Sequence, residues 1–541
     1  MKEVIADLLS KQLKLKKEEI INFLEIPPSP ELGDYAFPCF LLAKKYKKNP
    51  NQIAQELANK IKPGKEIEKI EVKGPYLNFF CLRKNLAEQI LKIKENFGKG
   101  KNKEKILLEH TSVNPNASPH VGRTRNSIIG DSIKRILIFQ GHKVETHYYV
   151  NDVSKQVAML ALNFKPEDTF DDLLNKYIEI SRKLKDNPEL EKQVFLLLNK
   201  FEHKDKQVTS KLKKIVDIAV KGQKEIFSSI GINFDYFDYE SKFLDSQKEI
   251  LKQLEKTGKL FKDEEGRMVL NQKGTGLEMK MKSPVFVLTR SDGTGLYPLR
   301  DLAYTIEKCK KARNILILGE DQKLYFEQLK QALILLKKPY PEVIHYSFVL
   351  LKDIGKMSTR SGEVVLLEDF IKEAVDKAII EISSRKTKGD AKKIAIGAVK
   401  YSMLRNENNK NITFDWQQAL SFEGDSGPYL QYSYARASSI LKKAKKKSGK
   451  LQIPELKEQE LALIKKLLQF PEIINQAYKQ LAPHIIANYS FELSQSFNEF
   501  YHSCPVIGSK EENFRLSLVQ AFRIVIKQAL FLLGIEVMEE M

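Results

Sequence analysis

Two short segments of the sequence carry histidine and basic side chains at spacings suited to binding phosphate groups. The first is HVGR, residues 120–123, and the second is KMSTR, residues 356–360. Gly355 and Gly362 flank the second segment, which predicts a mobile loop that could close over a ligand. Positive charge on such a loop stabilises the charge on transferring phosphate groups. Either segment alone is weak evidence, although its residue types are compatible with a phosphorylated ligand.

The elements that must position HVGR are those of a βαβ unit. Residues 105–109 form a short apolar run, and isoleucines then recur at helical spacing from Gly122 until Gly141 stops the helix. Residues 144–150 are rich in β-branched and aromatic side chains and predict a second strand. Two strands joined by a helix imply a parallel sheet, so the predicted fold class is α/β. Ligands of such folds bind at the carboxyl ends of the strands, where HVGR falls.

Further polar residues are predicted to gather at the same edge of the sheet. The second half of the sheet is predicted to begin at residues 285–288 and to continue at residues 314–319. The residues that end these strands, or that lie in the loops beyond them, are Glu109, Asn114, Tyr297, Asp301 and Gln322. We expect them to line one pocket, in which Asp301 could hold a cationic ligand or be an ordinary residue of a helix start. Asp152 and Gln156 could line the same pocket or serve only helix capping.

Composition limits the class of protein and its partners. The length of 541 residues suggests several domains, and a hydrophobic share of 42% is sufficient for folded cores. The formal net charge of +20 favours a polyanionic partner, although a lysine-rich proteome would give the same excess. The four cysteines form no CxxC pair, which predicts neither a zinc site nor a disulfide framework and fits the cytoplasm. No apolar run approaches the ~18 residues of a membrane span, and the N-terminus lacks a secretion signal.

The chain is predicted to have four parts; a polar linker marks the boundary near residue 100, and a shift in composition marks the insertion. The parts are a small α+β domain at 1–100, a Rossmann-type domain at 101–365 with an insertion at about 160–280, a helical segment at 366–410 and an all-α domain at 411–541. The insertion is predicted from helical patterns dense in Lys and Glu. In the first domain, ELGDYAFP at 31–38 predicts a turn, and residues 70–80 predict strand structure interrupted at Gly74-Pro75.

The two basic segments resemble the signatures of class I aminoacyl-tRNA synthetases, whose usual forms are His-Ile-Gly-His and Lys-Met-Ser-Lys-Ser. The flanking sequences EHTSVNPNASPH and RTRNSIIGDSIKRIL are similar to arginyl-tRNA synthetases in particular, as are YPLRDLAY, GPYLNFF and the C-terminal segments. Three positions depart from the family pattern. Arg123 replaces a second His, Ala117 stands where a Lys is often found, and Thr359 replaces the second Lys of the loop signature.

The resemblance implies an arginine–tRNA ligase that forms an arginyl-adenylate from ATP and L-arginine and then esterifies the terminal ribose 2′-hydroxyl of tRNA. The implied catalytic residues are His120, Gly122, Arg123, Lys356, Ser358 and Arg360. The implied ATP-binding residues are His120, Gly122, Lys356, Met357 and Ser358. The implied arginine-binding residues are Glu109, Ser112, Asn114, Tyr297, Asp301 and Gln322. Mg²⁺ is expected to accompany ATP as substrate, without a dedicated metal site or a tightly bound cofactor.

The chemistry of a guanidinium agrees with this assignment. A guanidinium is planar, permanently charged and offers five donors, so it needs a carboxylate and further acceptors. Asp301 is the expected carboxylate, supported by Tyr297 and Gln322. Glu109 and Asn114 are expected to orient the amino and carboxylate groups of the substrate. We also expect Arg123 to supply the cation that is missing from the family pattern.

The resemblance also implies contacts with tRNA at both ends of the chain. Tyr76 and Asn78 in GPYLNFF would contact a D-loop base, since an aromatic ring stacks on an unpaired base and an amide reads its edge. The alternative is a buried tyrosine and a strand-capping asparagine. Near the start of the anticodon-binding domain, Tyr429, Tyr432, Tyr434 and Arg436 precede a run of lysines and would suit single-stranded RNA. The aromatic spacing also suits a helix-bundle core.

Two alternatives remain open from the sequence. One is a nucleotidyltransferase of the same superfamily that acts on a small molecule, which would not need the terminal domains. The other is a non-catalytic tRNA-binding relative, suggested by Arg123, Ala117 and Thr359, although Asp301 and Lys356 are retained. We expect a cytoplasmic monomer without membrane partners.

Overall fold

The computed structural model describes residues 1–27, 29–116, 118–185, 187–352, 355–356, 365–444 and 452–541. Ala117, Met357, Ser358, Thr359 and Arg360 therefore lie outside the described residues, as does the side chain of Lys356. The strands are β1 (Tyr35–Pro38), β2 (Ile67–Lys73), β3 (Tyr76–Cys81), β4 (Lys105–Glu109), β5 (Lys143–Val150), β6 (Tyr236–Tyr239), β7 (Leu260–Lys262), β8 (Met268–Asn271), β9 (Val285–Val287), β10 (Arg313–Gly319), β11 (Glu342–Tyr346), β12 (Val349–Leu351), β13 (Gly355–Lys356) and β14 (Ile412–Phe414). The helices are α1 (Lys2–Ser10), α2 (Lys17–Phe23), α3 (Phe40–Tyr46), α4 (Pro50–Lys60), α5 (Arg83–Ile90), α6 (Val121–Phe139), α7 (Lys155–Asn163), α8 (Phe170–Lys185), α9 (Pro188–Glu202), α10 (Lys206–Ser229), α11 (Gln247–Glu255), α12 (Tyr297–Cys309), α13 (Lys323–Leu335), α14 (Leu367–Ser384), α15 (Ala391–Leu404), α16 (Trp416–Ala419), α17 (Gly427–Lys443), α18 (Glu458–Gln480), α19 (His484–Ser503) and α20 (Glu512–Leu532).

A parallel sheet of five strands lies at the centre of the larger of two structural units, in the order β11-β10-β4-β5-β6. The predicted βαβ unit is confirmed, because β4 and β5 are neighbours in the sheet and are connected through α6. The predicted strand at 314–319 is also confirmed as β10, which pairs with β4 on its other side. The direction in which the chain adds strands reverses between β4 and β10. Ligands of doubly wound sheets bind at such a reversal.

The strand predicted at residues 285–288 does not belong to this sheet, so that prediction was wrong. It corresponds to β9, which pairs antiparallel with β8 in a separate sheet of the order β7-β8-β9. A short apolar run predicts a strand but does not specify its pairing partner. The strand that does extend the parallel sheet is β6, which lies inside the predicted insertion and was not foreseen. Its four residues are too few to show a period.

Helix α6 packs against β4, β5 and β10 and carries HVGR at its N-terminal end. Ile128, Ile129, Ile133 and Ile136 of this helix are buried, as the helical spacing predicted. Gly130 allows the close approach to the end of β4, because a Cβ atom there would lie 2.3 Å from the ring of His110. The fully buried Arg125 donates hydrogen bonds to four backbone carbonyls between Ser347 and Lys410. These contacts fix the helix that presents HVGR.

Helices α12 and α13 share an apolar core with the parallel sheet. The core contains Leu299 and Leu302 of α12, Phe326 and Leu329 of α13, and Leu316 of β10. Tyr149 of β5 packs against this cluster, whereas the preceding Tyr148 packs against Phe234. Successive residues of a strand point to opposite faces of the sheet. The face that carries Tyr149 is therefore the one covered by α12.

The described chain divides into two units. The larger comprises Gly98–Arg436, Glu472–Phe491 and Lys527–Met541, and the smaller comprises Met1–Phe97, Ala437–Pro471 and Glu492–Ile526. In the larger unit, the helices predicted within the insertion are confirmed as α8 and α9, which pack on α7 around Met159, Ile180 and Val194. The chain beyond residue 366 is mostly helical, as predicted. No helix among the described residues is long and apolar enough to cross a membrane.

The smaller unit contains the antiparallel sheet β1-β3-β2. The predicted strand structure at 70–80 is confirmed as the hairpin β2–β3, with Gly74 at φ +59° in its turn. The segment ELGDYAFP was predicted to be a turn only, but its second half forms β1 and pairs with β3. The acidic and glycine residues at its start concealed the strand, because they are typical of turns.

Candidate active site

The predicted ATP- and arginine-binding residues that the structure describes come from the ends of β4 and β10, the loops beyond them, and the starts of α6 and α12. Glu109 ends β4, and Ser112 and Asn114 lie in the loop beyond it. Tyr297 and Asp301 lie in the first turns of α12, and Gln322 immediately precedes α13. Glu109, Ser112, Asn114 and Gln322 follow strands of the parallel sheet. Tyr297 and Asp301 instead follow β9 of the separate antiparallel sheet, so their predicted place beyond a strand of the parallel sheet was wrong. One shared pocket stays a prediction.

His120 occupies the N-cap position of α6, and its Nδ1 is buried without a hydrogen-bond partner among the described residues. Burial lowers the pKa of His120 to about 4, so the ring is neutral at pH 7. The amide of Val121 donates to the carbonyl of Val365 over 3.0 Å, and the amide of Leu367 donates to the carbonyl of Pro119 over 2.8 Å. The chain that follows the KMSTR loop is therefore tied directly to HVGR.

Arg123 lies at the rim of the site, with its side chain 40% exposed. Its Nη2 is 3.8 Å from a carboxylate oxygen of Asp321, which follows β10. It also interacts with the hydroxyl of Tyr346 at the end of β11. A long, exposed ion pair of this kind is weak in water. The guanidinium is therefore available to an anionic ligand above the N-terminus of α6.

The loop after β4 is held in an unusual backbone conformation. Thr111 and Ser112 have φ angles of +75° and +46°, which non-glycine residues rarely adopt. The amide of Thr111 donates to the side chain of Asn126 over 2.9 Å, and Ser112 Oγ accepts from the amide of Tyr149 over 3.1 Å. Strain of this kind persists only where the surroundings enforce it and is common at functional sites.

The same loop is fixed from its other side by a hydrogen-bonded chain. The hydroxyl of Tyr148 donates to Gln223 Oε1 over 2.7 Å, and Gln223 Nε2 donates to the carbonyl of Asn114 over 2.9 Å. The backbone of Asn114 is thus anchored, and its side chain is half-buried. Ser112 and Asn114 are therefore positioned by buried partners rather than by the loop itself.

Asp301 is a half-buried residue near the start of α12. One of its oxygens accepts a hydrogen bond from the hydroxyl of Tyr325 over 2.7 Å, and the other accepts one from Thr305 over 3.3 Å. None of the ion pairs formed by the described residues includes Asp301. Burial raises the pKa of Asp301 above its usual value. A carboxylate held in this way favours a cationic ligand.

Glu109 already has a cationic partner. Its carboxylate forms a buried ion pair with Lys308 of α12, whose ammonium also lies 4.4 Å from the centre of the Tyr304 ring. Glu109 therefore has its charge balanced within the fold, and only its remaining acceptor capacity is open to a substrate amino group. Its assignment to arginine binding stays a prediction.

Tyr297 and Gln322 lie at the more open side of the pocket. Tyr297 is 51% exposed, and its ring centre is 5.0 Å from that of Tyr325. Gln322 is half-buried at the N-cap of α13 and forms no side-chain cap there. Both side chains can therefore move toward a ligand without losing a partner that holds the fold together.

Several residues that shape the pocket were not identified from the sequence. They are Tyr149, Glu240, Arg300, Lys308 and Tyr325. Glu240 and Arg300 form a buried ion pair with an N–O distance of 2.6 Å, and burial raises the pKa of Glu240 to about 7. Tyr325 lies three residues after Gln322. Residues at this spacing are neighbours on a helix surface, so Tyr325 could have been found from the sequence. The others come from elements whose pairing the sequence does not reveal.

Asp152 and Gln156 were considered for the pocket or for capping. An oxygen of Asp152 accepts a hydrogen bond from the amide of Ser241 over 2.9 Å, which is a local backbone role after β6. The Oε1 atom of Gln156 is buried and has no hydrogen-bond partner among the described residues. No group of three or more His, Cys, Asp or Glu side chains within the described ranges is arranged as a metal site.

The residues predicted to contact tRNA differ in exposure. Tyr76 is partly exposed beside Phe40, with 5.9 Å between ring centres, whereas Asn78 is only 4% exposed in the central strand of its sheet. Tyr432 accepts a hydrogen bond from Arg436 over 2.6 Å, and Tyr429 packs edge-on against Phe491. Tyr434 is fully buried and donates to Glu539 over 2.8 Å, so it belongs to the core rather than to an RNA-binding surface.

Comparison with protein families agrees with the sheet and with the HVGR helix start. The family model described as "tRNA synthetases class I (R), catalytic domain" matches residues 86–416. Together with the parallel sheet and its strand-end pocket, this match defines the chain as a class I aminoacyl-tRNA synthetase. The models "Arginyl tRNA synthetase N terminal domain" and "DALR anticodon binding domain" match residues 1–81 and 430–541. The chain belongs to the arginyl-tRNA synthetase family.

The similarity to individual relatives extends over the whole chain. The chain is 38% identical to an arginine–tRNA ligase of Methanocaldococcus jannaschii, with 99% of this chain and 97% of the relative covered. It is 34% identical to an arginine–tRNA ligase of Clostridium perfringens over the full length of both. Among solved structures it is similar to Thermus thermophilus arginyl-tRNA synthetase, with a TM-score of 0.83, 28% identity and coverage of 100% and 99%.

Proposed function

We propose that this chain joins L-arginine to its tRNA in two steps, through an arginyl-adenylate bound at the carboxyl edge of the parallel sheet. In the first step, the arginine carboxylate attacks the α-phosphate of ATP and pyrophosphate leaves. In the second, the terminal ribose 2′-hydroxyl of tRNA attacks the adenylate carbonyl and AMP leaves. The named arginine–tRNA ligases cover the whole chain, so the non-catalytic alternative is not favoured.

The environment of Asp301 is the observation that supports arginine as the amino-acid substrate. This carboxylate is held by Tyr325 and Thr305, lies at a helix start beside the strand ends and forms none of the described ion pairs. A guanidinium would supply the missing cation and could bond both oxygens at once. Tyr297 and Gln322 would contact the outer edge of the same group. Glu109, Ser112 and Asn114 would orient the amino and carboxylate groups of the substrate.

The HVGR helix start would bind the nucleotide. Gly122 would let the adenine approach the helix, and the neutral His120 would hydrogen-bond a phosphate oxygen. Arg123 would stabilise the charge on the triphosphate and on the leaving pyrophosphate, joined by Lys356, Ser358 and Arg360 from the loop signature. Met357 is assigned to ATP binding on the family resemblance alone. Mg²⁺ would accompany ATP as substrate and neutralise phosphate charge.

Transfer RNA would be bound by the domains that flank the catalytic domain. We assign D-loop contact to residues 1–100 through Tyr76, with Asn78 limited by its burial, and anticodon contact to residues 411–541 through Tyr429, Tyr432 and Arg436. Residues 101–365 form the proposed catalytic domain, and residues 366–410 would contact the tRNA stem. The net charge of +20 suits a polyanionic partner.

We further propose that the enzyme works as a cytoplasmic monomer. All four cysteines are free, and three are buried, as suits a reducing compartment. Sedimentation velocity at micromolar concentration should give a single species with the mass of one chain, 62.3 kDa. A concentration-dependent species of twice that mass would contradict the monomer.

The experiment that tests the proposed function is aminoacylation of unfractionated tRNA with each of arginine, lysine and citrulline. Arginine should be esterified at least ~10³-fold more efficiently than the uncharged citrulline, because citrulline leaves Asp301 buried and unpaired. Comparable rates with arginine and citrulline would contradict the proposed role of Asp301. Absence of arginyl-tRNA formation would contradict the proposed function as a whole.

A further inference from the structure

The hydroxyl of Tyr149 is buried beneath the proposed arginine pocket and has no hydrogen-bond partner among the described residues. Tyr149 lies near the carboxyl end of β5, and its amide donates to Ser112 in the loop after β4. Its ring stacks on that of Tyr304, with 4.7 Å between the centres and 24° between the planes. The ring is therefore held in place while its polar atom is left unsatisfied.

A structural role does not account for the hydroxyl. Buried hydroxyls in folded proteins are almost always hydrogen-bonded, because leaving one unpaired is unfavourable. The adjacent Tyr148 follows this rule, since its hydroxyl bonds to Gln223 over 2.7 Å and to the backbone of Val113 over 3.0 Å. At position 149 a phenylalanine would keep the ring stacking and avoid the unpaired atom.

The surroundings of Tyr149 specify the charge of a missing partner. The charged groups close enough to act on it are Glu240 after β6, Asp301 and Arg300 on α12, and Glu109 at the end of β4. Burial, followed by Glu240 and Asp301, raises the pKa of Tyr149, so the hydroxyl stays neutral at physiological pH. Arg300 pairs with Glu240 and Lys308 pairs with Glu109, so Asp301 is the carboxylate of this group that has no ion pair among the described residues. The remaining negative charge disfavours a phosphate and favours a cationic ligand. Glu240 Oε2 is likewise buried without a hydrogen-bond partner among the described residues.

We propose that the hydroxyl of Tyr149 accepts a hydrogen bond from the guanidinium of substrate arginine and is a specificity-determining residue of the pocket. A guanidinium has five N–H donors, and a bidentate contact with Asp301 would satisfy only two of them. Tyr149 approaches from β5, on the inner side of the pocket, whereas Tyr297 and Gln322 lie at its open side. The inference rests on the proposed arginine substrate and adds a contact to that site.

The test is Tyr149→Phe in the full-length enzyme, assayed by steady-state aminoacylation with arginine varied at saturating ATP and tRNA. The arginine KM should rise at least ~10-fold, the factor expected for a hydrogen bond to a charged group. The kcat and the KM for ATP should stay within about threefold of wild type, because the hydroxyl is distant from the phosphates. An arginine KM within twofold of wild type would overturn the proposal.

A thermal-shift measurement separates ligand contact from folding. Without ligand, Tyr149→Phe should melt at or above the wild-type temperature, because an unpaired polar atom has been removed. The rise in melting temperature caused by 10 mM L-arginine should be smaller than in wild type. A lower unliganded melting temperature together with an unchanged arginine-induced rise would show a structural role and overturn the proposal.

The matched control is Tyr401→Phe, which removes a buried hydroxyl that already donates to Asp425. This variant should melt at a lower temperature and keep the wild-type arginine KM. Failure of the proposed function gives a different result from failure of the Tyr149 contact. In the first case, wild-type enzyme would show neither arginine-dependent aminoacylation nor an arginine-induced rise in melting temperature. A wild type that responds to arginine, with a Tyr149→Phe variant that responds equally, would reject the tyrosine contact alone.

Discussion

Replacement of Asp301 by Asn tests whether its carboxylate is kept for a ligand or for the fold. The substitution preserves shape and leaves an amide oxygen able to accept from Tyr325, whose hydroxyl is 2.7 Å from the carboxylate. It removes the negative charge and the bidentate acceptor. Activity and stability should therefore change in opposite directions, because the free enzyme gives Asp301 no ion-pair partner among the described residues.

The size of the effect on activity follows from losing one partner of a buried charge pair. Removing such a partner costs about 3–5 kcal/mol. At ~1.4 kcal/mol for each factor of ten, Asp301→Asn should lower kcat/KM for arginine by roughly 10²- to 10³-fold. The KM for ATP should change little, because Asp301 faces the side of the sheet covered by α12.

The effect on stability has the opposite sign. Burial raises the pKa of Asp301, so the folded state binds this proton more tightly than the unfolded state. The unfolding free energy of wild type therefore falls as the pH rises from the ordinary Asp pKa of about 3.9 through the raised value, and the penalty is complete above it. Asparagine does not titrate, so the variant should be as stable as wild type or more stable at pH 7.

The assay combines arginine-dependent aminoacylation with urea unfolding at pH 4 and pH 7. The matched control is Asp425→Asn, an acid paired with Arg405 over 2.9 Å, which should lose stability but keep its arginine KM. Normal kinetics in Asp301→Asn would refute the guanidinium contact. A large loss of stability at pH 7 would refute the view that the fold does not need this charge.

Three further predictions concern the cations and the histidine of the site. Arg123→Ala should slow arginine-dependent pyrophosphate exchange by ~100-fold or more, because the cation that stabilises the phosphate charge is removed. The control Asp321→Asn should leave exchange near the wild-type rate. Lys308→Met should lower the unfolding free energy by about 3–5 kcal/mol in urea titrations, because Glu109 would be left buried and unpaired; an unchanged value would contradict the importance of this ion pair. Burial lowers the pKa of His120 to about 4, so wild type should lose stability as the pH falls from ~6.5 toward that value. His120→Asn should show a shallower fall, and an identical pH dependence would contradict the assignment.

The central part of the fold could be predicted because its signals are local. The apolar run at Lys105–Glu109, the isoleucine spacing of α6 and the strand at Lys143–Val150 follow one another in the chain and specify a βαβ unit. The residues at Val285–Val287 were correctly predicted as a strand but given to the wrong sheet, because strand pairing depends on distant residues. The short β6 escaped prediction because its four residues are too few to show a period.

The same difference between local and long-range signals decides which residues of the candidate site could be predicted. Motif residues such as His120 and Asp301 could be identified because they stand in recognisable sequence contexts. Lys308 and Tyr149 could not, since a lysine late in a helix and a tyrosine in a strand carry no local sign of burial beside carboxylates. Their roles depend on α12 covering the face of the sheet on which Glu109 and Tyr149 lie.

The most direct test of the central claim is exchange of labelled pyrophosphate into ATP, measured with arginine in the presence and absence of its tRNA. In the family that the chain belongs to, tRNA usually binds before arginine is activated, so the predicted result is arginine-dependent exchange only in the presence of tRNA. Exchange without tRNA would still support adenylate formation, but it would contradict the expectation that tRNA binds before arginine is activated. No exchange under either condition, with tRNA still bound, would contradict the account and leave a non-catalytic tRNA-binding protein.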